Sequence, residues 1–336
     1  MKTAKIIIII LAVILFIGIA FASFGFHRYA NSPLNPAAGT TVINIPRGAS
    51  FVDIAELLER EGILHHRRVF SLIARILEFH RDLKAGEYEI SGSATPLEML
   101  EQLKKGVVKG YLVTVPEGFS IEQAADCFAA QGLADREIFI SLVEDRDFLS
   151  SLGIEAKSAE GYLFPDTYRV TRSNDEAAII RLMVQRFRQA LPTDLKVKTE
   201  RLEYSLHEII TIASLIEKEA TMDEEKPLIS AVFHNRLKRG MRLQSDPTVV
   251  YQAEDFSGRI RKKDLLRKTP YNTYLISGLP PGPICNPGAA SIKAALNPAS
   301  VDYLYFVAKN DGTHHFSSNL FDHNKAVIKY QIKRKK

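Results

Sequence analysis

The chain has 336 residues, of which 46% are hydrophobic and 25% charged, and this is the composition of a folded protein rather than of a disordered one. The net charge of +5 is modest and predicts no nucleic-acid partner. The two cysteines, Cys127 and Cys285, lie far apart and form no CxxC pair, so neither a disulfide framework nor a cysteine metal site is predicted.

A long apolar run follows a short basic leader at the N-terminus. Residues 6–26 contain no charged residue, and at helical rise they span about 32 Å, enough for a bilayer core. The run is longer than the apolar region of a signal peptide, which favours an uncleaved anchor over cleavage near residues 20–22. We therefore predict a cytoplasmic leader (1–5), a transmembrane helix (6–26) in the cell inner membrane and a linker (27–39), with everything later outside the cytoplasm.

Two segments of the chain repeat at an offset of 70 residues. Residues 42–50 and 112–120 each predict a short strand, a Pro-x-Gly turn and a helix capped by serine. The first copy continues into a second helix, then into a returning strand over residues 84–90 and a capped helix over residues 95–103. This strand–helix–helix–strand order resembles LysM-type modules, which bind glycans containing N-acetylglucosamine. A scaffold without binding activity is the alternative.

Residues 205–220 predict a short apolar helix that ends in charge. Its residues 209–216 include no charged side chain, which indicates a helix buried inside a domain. Glu217, Lys218 and Glu219 follow directly. A carboxyl above small and apolar neighbours is partly desolvated, which raises its pKa and prepares it to act as a general acid. Solvated charges in the last turn are the alternative, and the helix alone does not separate Glu217 from Glu219.

The C-terminal part of the chain is rich in glycine, proline and neutral polar side chains. These residues concentrate in loops at 240–249, 271–274 and 278–288 and in a turn at 310–319, with a strand predicted at 302–308. Neutral amides, hydroxyls and tyrosines suit a hydroxyl-rich ligand such as a glycan, although the same residues also form turns. The loop histidines lack the spacing of metal ligands, so no metal is predicted.

A series of motifs occurs in this order: Ala213-Ser-Leu-Ile-Glu-Lys-Glu219, Asn235-Arg-Leu237, Gly240-Met-Arg-Leu-Gln-Ser-Asp-Pro-Thr-Val249, Tyr271-Asn-Thr-Tyr274, Gly278-Leu-Pro-Pro-Gly282, Asn286-Pro-Gly288, Tyr303-Leu-Tyr-Phe-Val307, Gly312-x-His314-x-Phe316 and His323-Asn324. Together, and with the anchor and the LysM-like segment, they resemble the MltG (YceG-like) family of endolytic murein transglycosylases over about residues 40–330. The resemblance implies that the first Glu of the Glu-Lys-Glu motif, Glu217, is the catalytic residue.

The family's reaction is a lyase-type cleavage of peptidoglycan. The resemblance implies cleavage of the β-1,4 bond between N-acetylmuramic acid (MurNAc) and N-acetylglucosamine (GlcNAc) in nascent glycan strands. The product ends in 1,6-anhydroMurNAc, and the cut terminates strand elongation. Glu217 would protonate the leaving oxygen and then, as a carboxylate, deprotonate the C6 hydroxyl that attacks the anomeric carbon. A second carboxylate, which ordinary glycosidases need, is then dispensable, and no cofactor is expected.

We predict an α+β protein with a single N-terminal transmembrane helix, a LysM-like βααβ lobe at residues 40–109 and a larger α+β catalytic domain at 110–336. That domain begins with the second, diverged repeat and has its catalytic core at about residues 200–330. The predicted substrate-binding residues are Asn235, Gln244, Asp246, Tyr271, Asn272, His314 and Asn319.

The predicted partners are peptidoglycan glycan strands, the membrane and peptidoglycan synthases. Two other functions are compatible with the residues. One is a non-catalytic glycan-binding scaffold of the cell-wall synthesis complex. The other is an inverting muramidase that uses Glu217 and Asp246 as its two carboxylates.

Overall fold

A computed structural model describes residues 2–332 except residues 47, 82, 254, 255, 257 and 259. Helices and short antiparallel strands alternate along the described chain, which confirms the α+β class. The chain divides into two compact units: unit 1 comprises Met1–Tyr111 and Thr171–Ser173, and unit 2 comprises Leu112–Val170 and Asn174–Lys336.

Unit 1 contains the apolar N-terminal helix and the first copy of the repeat. Its elements are α1 (Lys2–Ala30), β1 (Thr40–Ile45), α2 (Phe51–Arg60), α3 (Arg67–Ile76), β2 (Gly86–Ser91) and α4 (Pro96–Lys105). Strands β1 and β2 pair antiparallel, with Thr40 opposite Ser91 and Ile45 opposite Gly86. The predicted strand–helix–helix–strand order is therefore observed, and α1 is long and apolar enough to cross a membrane.

The second copy of the repeat, at the start of unit 2, has a similar order of elements with one additional helix. They are β3 (Tyr111–Thr114), α5 (Ile121–Ala129), α6 (Arg136–Glu144), α7 (Arg146–Ser151) and β4 (Thr167–Val170), and β3 pairs with β4. Ser120 caps α5 in a capping box, as Ser50 caps α2 in the first copy. The repeat thus encodes the same local chemistry twice: a serine side chain that accepts from a backbone N–H of the first helical turn.

The remainder of unit 2 is mainly helical. Its elements are α8 (Glu176–Ala190), α9 (Leu195–Leu202), α10 (Leu206–Glu219), α11 (Lys226–Lys238), α12 (Ala289–Leu296), β5 (Tyr305–Ala308), β6 (His314–Ser317) and α13 (Leu320–Val327). The sequence predicted a turn over residues 310–319, and this is wrong in part. Residues 314–317 form β6, because they pair antiparallel with β5 across a shorter turn.

Helix α10 is the buried centre of unit 2. Ser205 caps it and exchanges hydrogen bonds with Glu208 in a capping box. Every residue of 209–216 is buried, which confirms the prediction made from the apolar run. The helix packs against α11 and α12, and each fully buried Ile or Leu side chain stabilises this packing by about 1.5–3 kcal/mol. The helix end is thereby held rigidly at Glu217–Glu219.

Candidate active site

The Glu217 carboxyl, at the end of α10, is held between a backbone N–H and a buried ammonium. The N–H of Gly288 donates to Oε2 of Glu217 at 3.0 Å, and Nζ of Lys226 lies 3.7 Å from Oε1. The side chains of Glu217 and Lys226 are only 9% and 4% exposed. One oxygen of the Glu217 carboxyl thus accepts from a backbone N–H, and the other faces a cation.

Lys226 is charged although it is buried. It is the first residue of α11, directly before Pro227, and its Nζ lies 2.8 Å from a carboxylate oxygen of Asp223. Burial lowers the pKa of Lys226, but the hydrogen bond with Asp223 and the charges of Glu217, Asp223 and Glu117 outweigh burial and leave the pKa above its ordinary value. The ammonium therefore supplies a fixed positive charge beside Glu217.

A second carboxyl, that of Glu117, lies against the same glycine that donates to Glu217. A Cβ placed on Gly288 would lie 1.9 Å from Oε1 of Glu117, so the carboxylate packs directly on the Cα of Gly288. Burial raises the pKa of Glu117, the negative charge of Glu217 raises it further, and Lys226 opposes both. The site thus contains two interacting carboxyls, and the pKa of Glu117 is raised above its ordinary value.

Glu117 reaches this position because its turn is bonded to the proline-rich loop. Glu117 belongs to the Pro-x-Gly turn of the second repeat. The N–H of Gly118 donates to the carbonyl of Asn286 at 2.9 Å, and the N–H of Asn286 donates to the carbonyl of Phe119 at 2.8 Å. Nζ of Lys218 adds a bond to the carbonyl of Gly118 at 3.3 Å. Gly118 itself has φ +76°, a left-handed conformation that glycine adopts without strain.

A buried acid, Glu160, lies beneath the Asn286 loop. It accepts from the N–H of Ile121, the side-chain amide of Asn286 and the hydroxyl of Tyr251. Burial raises its pKa to about 8, against the opposing hydrogen bond from the Ile121 N–H. Tyr271, one of the predicted binding residues, packs its ring 4.6 Å from that of Tyr251. Through Glu160, which bonds to both Ile121 and Asn286, the second repeat contacts the loop that carries Gly288.

Glu219 belongs to a different cluster from Glu217. The hydroxyl of Ser245 donates to Oε1 of Glu219 at 2.5 Å, and the backbone of Asp246 also bonds to this carboxyl. Burial raises the pKa of Glu219 to about 7, opposed by the Ser245 bond and reinforced by the charge of Asp246. Glu219 lines a cavity of about 450 Å³ that also contains Arg236.

Three of the predicted binding residues lie at that cavity. Gln244, Asp246 and His314 all line it together with Glu219. The hydroxyl of Tyr274 donates to Asp246, and Nδ1 of His314 lies 2.7 Å from a carboxylate oxygen of Glu225. The structure therefore gathers these three residues on the Glu219 side of the end of α10.

The three predicted asparagines hydrogen-bond to other parts of the protein. The side-chain amide of Asn235, on α11, donates to the carbonyls of Val301 and Tyr303 in the segment before β5. Asn272 is fully buried, and its amide donates to two carbonyls of the preceding loop. Asn319 caps α13. Asn272 and Asn319 thus hold their own loop and helix, whereas Asn235 joins two distant segments.

The two acids at the end of the apolar helix lie in different surroundings. The raised pKa that the sequence predicted for a carboxyl at this helix end is found at Glu219. Glu217 is also almost fully buried, and its carboxyl meets the Lys226 ammonium and the Gly288 N–H. The role of Glu217 as the general acid stays a prediction.

Sequence reasoning missed Glu117 and Lys226. Both were visible only as parts of other patterns: Glu117 as the variable residue of a repeated Pro-x-Gly turn, and Lys226 as the residue ahead of a helix-starting proline. Gly288 was part of a recognised motif, but its N–H was not assigned a role. Within the part of the chain that the structure describes, no group of three or more His, Cys, Asp or Glu side chains is arranged to hold a metal ion.

Comparison with known proteins gives one family over most of the chain. A family model described as the YceG-like family matches residues 43–329. An endolytic murein transglycosylase of Bacillus subtilis (strain 168) is 35% identical over 327 residues, covering 91% of this chain and 90% of that protein. A Streptococcus pneumoniae (serotype 2) protein of the same name is 31% identical, covering 91% of this chain and 62% of its own length. The crystal structure of a YceG-like protein from Listeria monocytogenes has 33% identity and a TM-score of 0.59, covering 85% of this chain and 99% of that one.

Proposed function

The chain belongs to the YceG-like family, and from this membership and the geometry around Glu217 we propose how it acts on peptidoglycan. It is an enzyme of the lytic murein transglycosylase class, as its curated relatives at 31–35% identity are. The observation that carries the mechanism is the position of the Glu217 carboxyl, held between Lys226 and the Gly288 N–H with the Glu117 carboxyl against the same glycine.

The proposed reaction is cleavage of the β-1,4 bond between MurNAc and GlcNAc within nascent glycan strands. The leaving oxygen takes a proton from the site, the C6 hydroxyl of MurNAc attacks the anomeric carbon, and the site regains the proton from that hydroxyl. The product is a 1,6-anhydroMurNAc end, and no water is consumed. One proton leaves the enzyme and one returns, so a single carboxyl at the reacting bond is sufficient, and we assign that carboxyl to Glu217.

We assign Glu117 the role of holding the proton beside Glu217. The first step needs an acid, and the Glu117 carboxyl lies against the glycine whose N–H donates to Glu217. Burial and the charge of Glu217 raise the pKa of Glu117, so the pair retains one proton to higher pH than two separate carboxyls do. In this scheme the proton passes from Glu117 to Glu217 and then to the leaving oxygen, and the proton that Glu217 takes from the C6 hydroxyl returns to Glu117. Glu117 is therefore a positioning residue, since it acts on the substrate through Glu217.

The anchor and the first repeat complete the proposal. Helix α1 has the length and apolarity of a membrane-spanning helix. We propose that it holds the chain in the cytoplasmic membrane, with its N-terminus inside and unit 2 on the outer side, within reach of peptidoglycan synthases. We propose a LysM-like, glycan-binding role for the βααβ portion of unit 1. Cutting new strands at the membrane where they are made would terminate their elongation.

Digestion of purified, uncrosslinked glycan strands with the full chain in detergent tests the function. Mass spectrometry of the products should show anhydro ends. Reducing ends would instead indicate a hydrolase that uses a second carboxylate beside Glu217. Binding without cleavage would indicate the glycan-binding scaffold.

A further inference from the structure

Helix α3 exposes a face that is both apolar and basic. Val69, Leu72 and Ile76 are 40%, 56% and 58% exposed, and their spacing of three and four residues places them on one side of the helix. Arg68 and Arg75 are also exposed, and their spacing of seven residues places both along one edge of this side. We call these five residues the α3 face.

The α3 face is not part of the core of unit 1. The buried side of the same helix carries Phe70, Ile73 and Ala74 into that core, and all three are fully buried. The apolar residues of the α3 face therefore remain outside after the unit has folded. Three large exposed apolar side chains on one side of a surface helix indicate that this side contacts another molecule or a membrane.

The start of α3 lies beside the end of α1. The ring of His66, the residue before α3, is 6.1 Å from the ring of Tyr29 in the last turn of α1. Ala30, at the end of α1, is buried in the core of unit 1, and Phe26 packs partly against that core. Helix α1 thus runs directly into unit 1, and its last turn and the start of α3 belong to one packed body.

The contact between Tyr29 and His66 sets the depth of the start of α3 relative to a membrane that α1 spans. Tyr29 is three residues beyond Phe26, where the apolar run ends, and three residues advance about 4.5 Å along a helix. The headgroup layer on each side of a bilayer is about 5–7 Å deep. When α1 spans a membrane, the N-terminus of α3 therefore lies within that layer.

We propose that the α3 face rests on the membrane, with Leu72 and Ile76 at the boundary between headgroups and acyl chains and with Arg68 and Arg75 on anionic lipid phosphates. The inference rests on the membrane anchorage proposed above. A helix with large apolar residues on one side and arginines at its margins is typical of helices that lie in the membrane interface. The arginines bury their aliphatic stems while their guanidinium groups reach the phosphates.

The contact has a consequence for the enzyme. A single transmembrane helix leaves a protein free to tilt, whereas a second contact on α3 fixes the orientation of unit 1 against the bilayer. The partner that fits is the anionic surface of the same membrane, because the face is adjacent to the anchor and carries positive charge.

Depth-dependent fluorescence in vesicles tests the proposal. The full chain, in a Cys127→Ser background, is labelled with an environment-sensitive dye at Leu72→Cys, at Val52→Cys as an exposed apolar control on α2, or at Phe16→Cys within the anchor. It is then reconstituted in vesicles that contain phosphatidylglycerol and brominated lipid. We expect quenching at Leu72 at least about twofold stronger than at Val52.

The possible results distinguish a failure of the proposed α3 contact from a failure of the proposed membrane anchorage. Quenching at Phe16 without quenching at Leu72 would leave the anchor in place and overturn the α3 contact. Absence of quenching at Phe16 would overturn the anchorage itself. The double variant Arg68→Gln, Arg75→Gln should weaken the quenching at Leu72 in phosphatidylglycerol vesicles and not in phosphatidylcholine vesicles. A dye at Leu72 that is shielded in cells but never quenched in vesicles would point to a protein partner and against the membrane.

Discussion

Oε1 of Glu217 and Nζ of Lys226 lie 3.7 Å apart, and both side chains are almost completely shielded from solvent. Glu217 lies in the last turn of α10, Lys226 is the first residue of α11, and six residues connect the two helices. A buried carboxylate next to a buried ammonium is stable only as a pair. Lys226 therefore supplies a fixed positive charge beside the residue that we assign as the acid and base.

Glu217→Gln should abolish catalysis without unfolding the protein. The amide oxygen still accepts from Gly288, but the side chain no longer transfers a proton, so we expect release of anhydro ends to fall about 10²–10⁴-fold. The melting temperature serves as the control for folding. Glu219→Gln is the matched variant two residues away, and it should retain activity within about tenfold. If the two variants exchange these effects, the acid is Glu219, whose pKa of about 7 would suit that role.

Lys226→Met should destabilise unit 2. The substitution keeps the length of the side chain but leaves the Glu217 carboxylate without its cation, which costs about 3 kcal/mol of unfolding free energy. Urea unfolding measures this. In the double variant Glu217→Gln, Lys226→Met no buried charge is left unpaired at this position, so most of the loss should be recovered. A double variant that is less stable than Lys226→Met alone would show that the ion pair does not carry the effect.

Gly288→Ala should displace Glu117 while leaving the backbone intact. Gly288 has φ −75°, which alanine adopts freely, but the new Cβ would overlap the Glu117 carboxyl at 1.9 Å. The carboxyl is the flexible end of a side chain and can move away, so the stability cost should be small. Activity should fall about 10–100-fold, as for Glu117→Gln. Because both changes remove the same carboxyl, their effects should not add in the double variant.

The pH profile distinguishes the proposed role of Glu117 from a purely structural one. Its pKa is raised, so the wild-type pair keeps a proton further toward neutral pH. In Glu117→Gln that proton is absent, and the alkaline limb of kcat against pH should move to lower pH. Glu117→Asp should restore part of the wild-type limb. An unchanged profile with a uniformly lower rate would contradict the assignment.

Glu160 should make the folded state less stable as pH rises. Its pKa is about 8 in the folded protein and near 4.5 in an unfolded chain, so the folded state binds the proton more tightly. The resulting stability is fully present below about pH 4.5 and is lost as pH rises through about 8. Glu160→Gln should flatten this part of the curve of unfolding free energy against pH, measured by urea unfolding. An equal slope in wild type and variant would contradict a buried, neutral Glu160.

Local patterns in the sequence predicted the elements of the fold well. The apolar run predicted a buried α10, the repeat predicted the helices capped by Ser50 and Ser120, and the first copy predicted one strand–helix–helix–strand unit. Such signals are carried by residues a few positions apart, where helix and strand periodicity act directly. The strand β6 was missed because its pairing with β5 is not visible in its own four residues.

The site itself depended on contacts between distant segments. The sequence, through the resemblance of its motifs, determined that Glu217 is the residue to examine. Only the tertiary structure brought Gly288 to it across 71 residues, placed Glu117 against the same glycine and separated Asp246 into the cluster of Glu219. The physical reason is that a carboxyl takes its charge state from whatever lies within a few ångströms of it. Those neighbours come from three separate stretches of the chain, and no local periodicity records that folding brings them together.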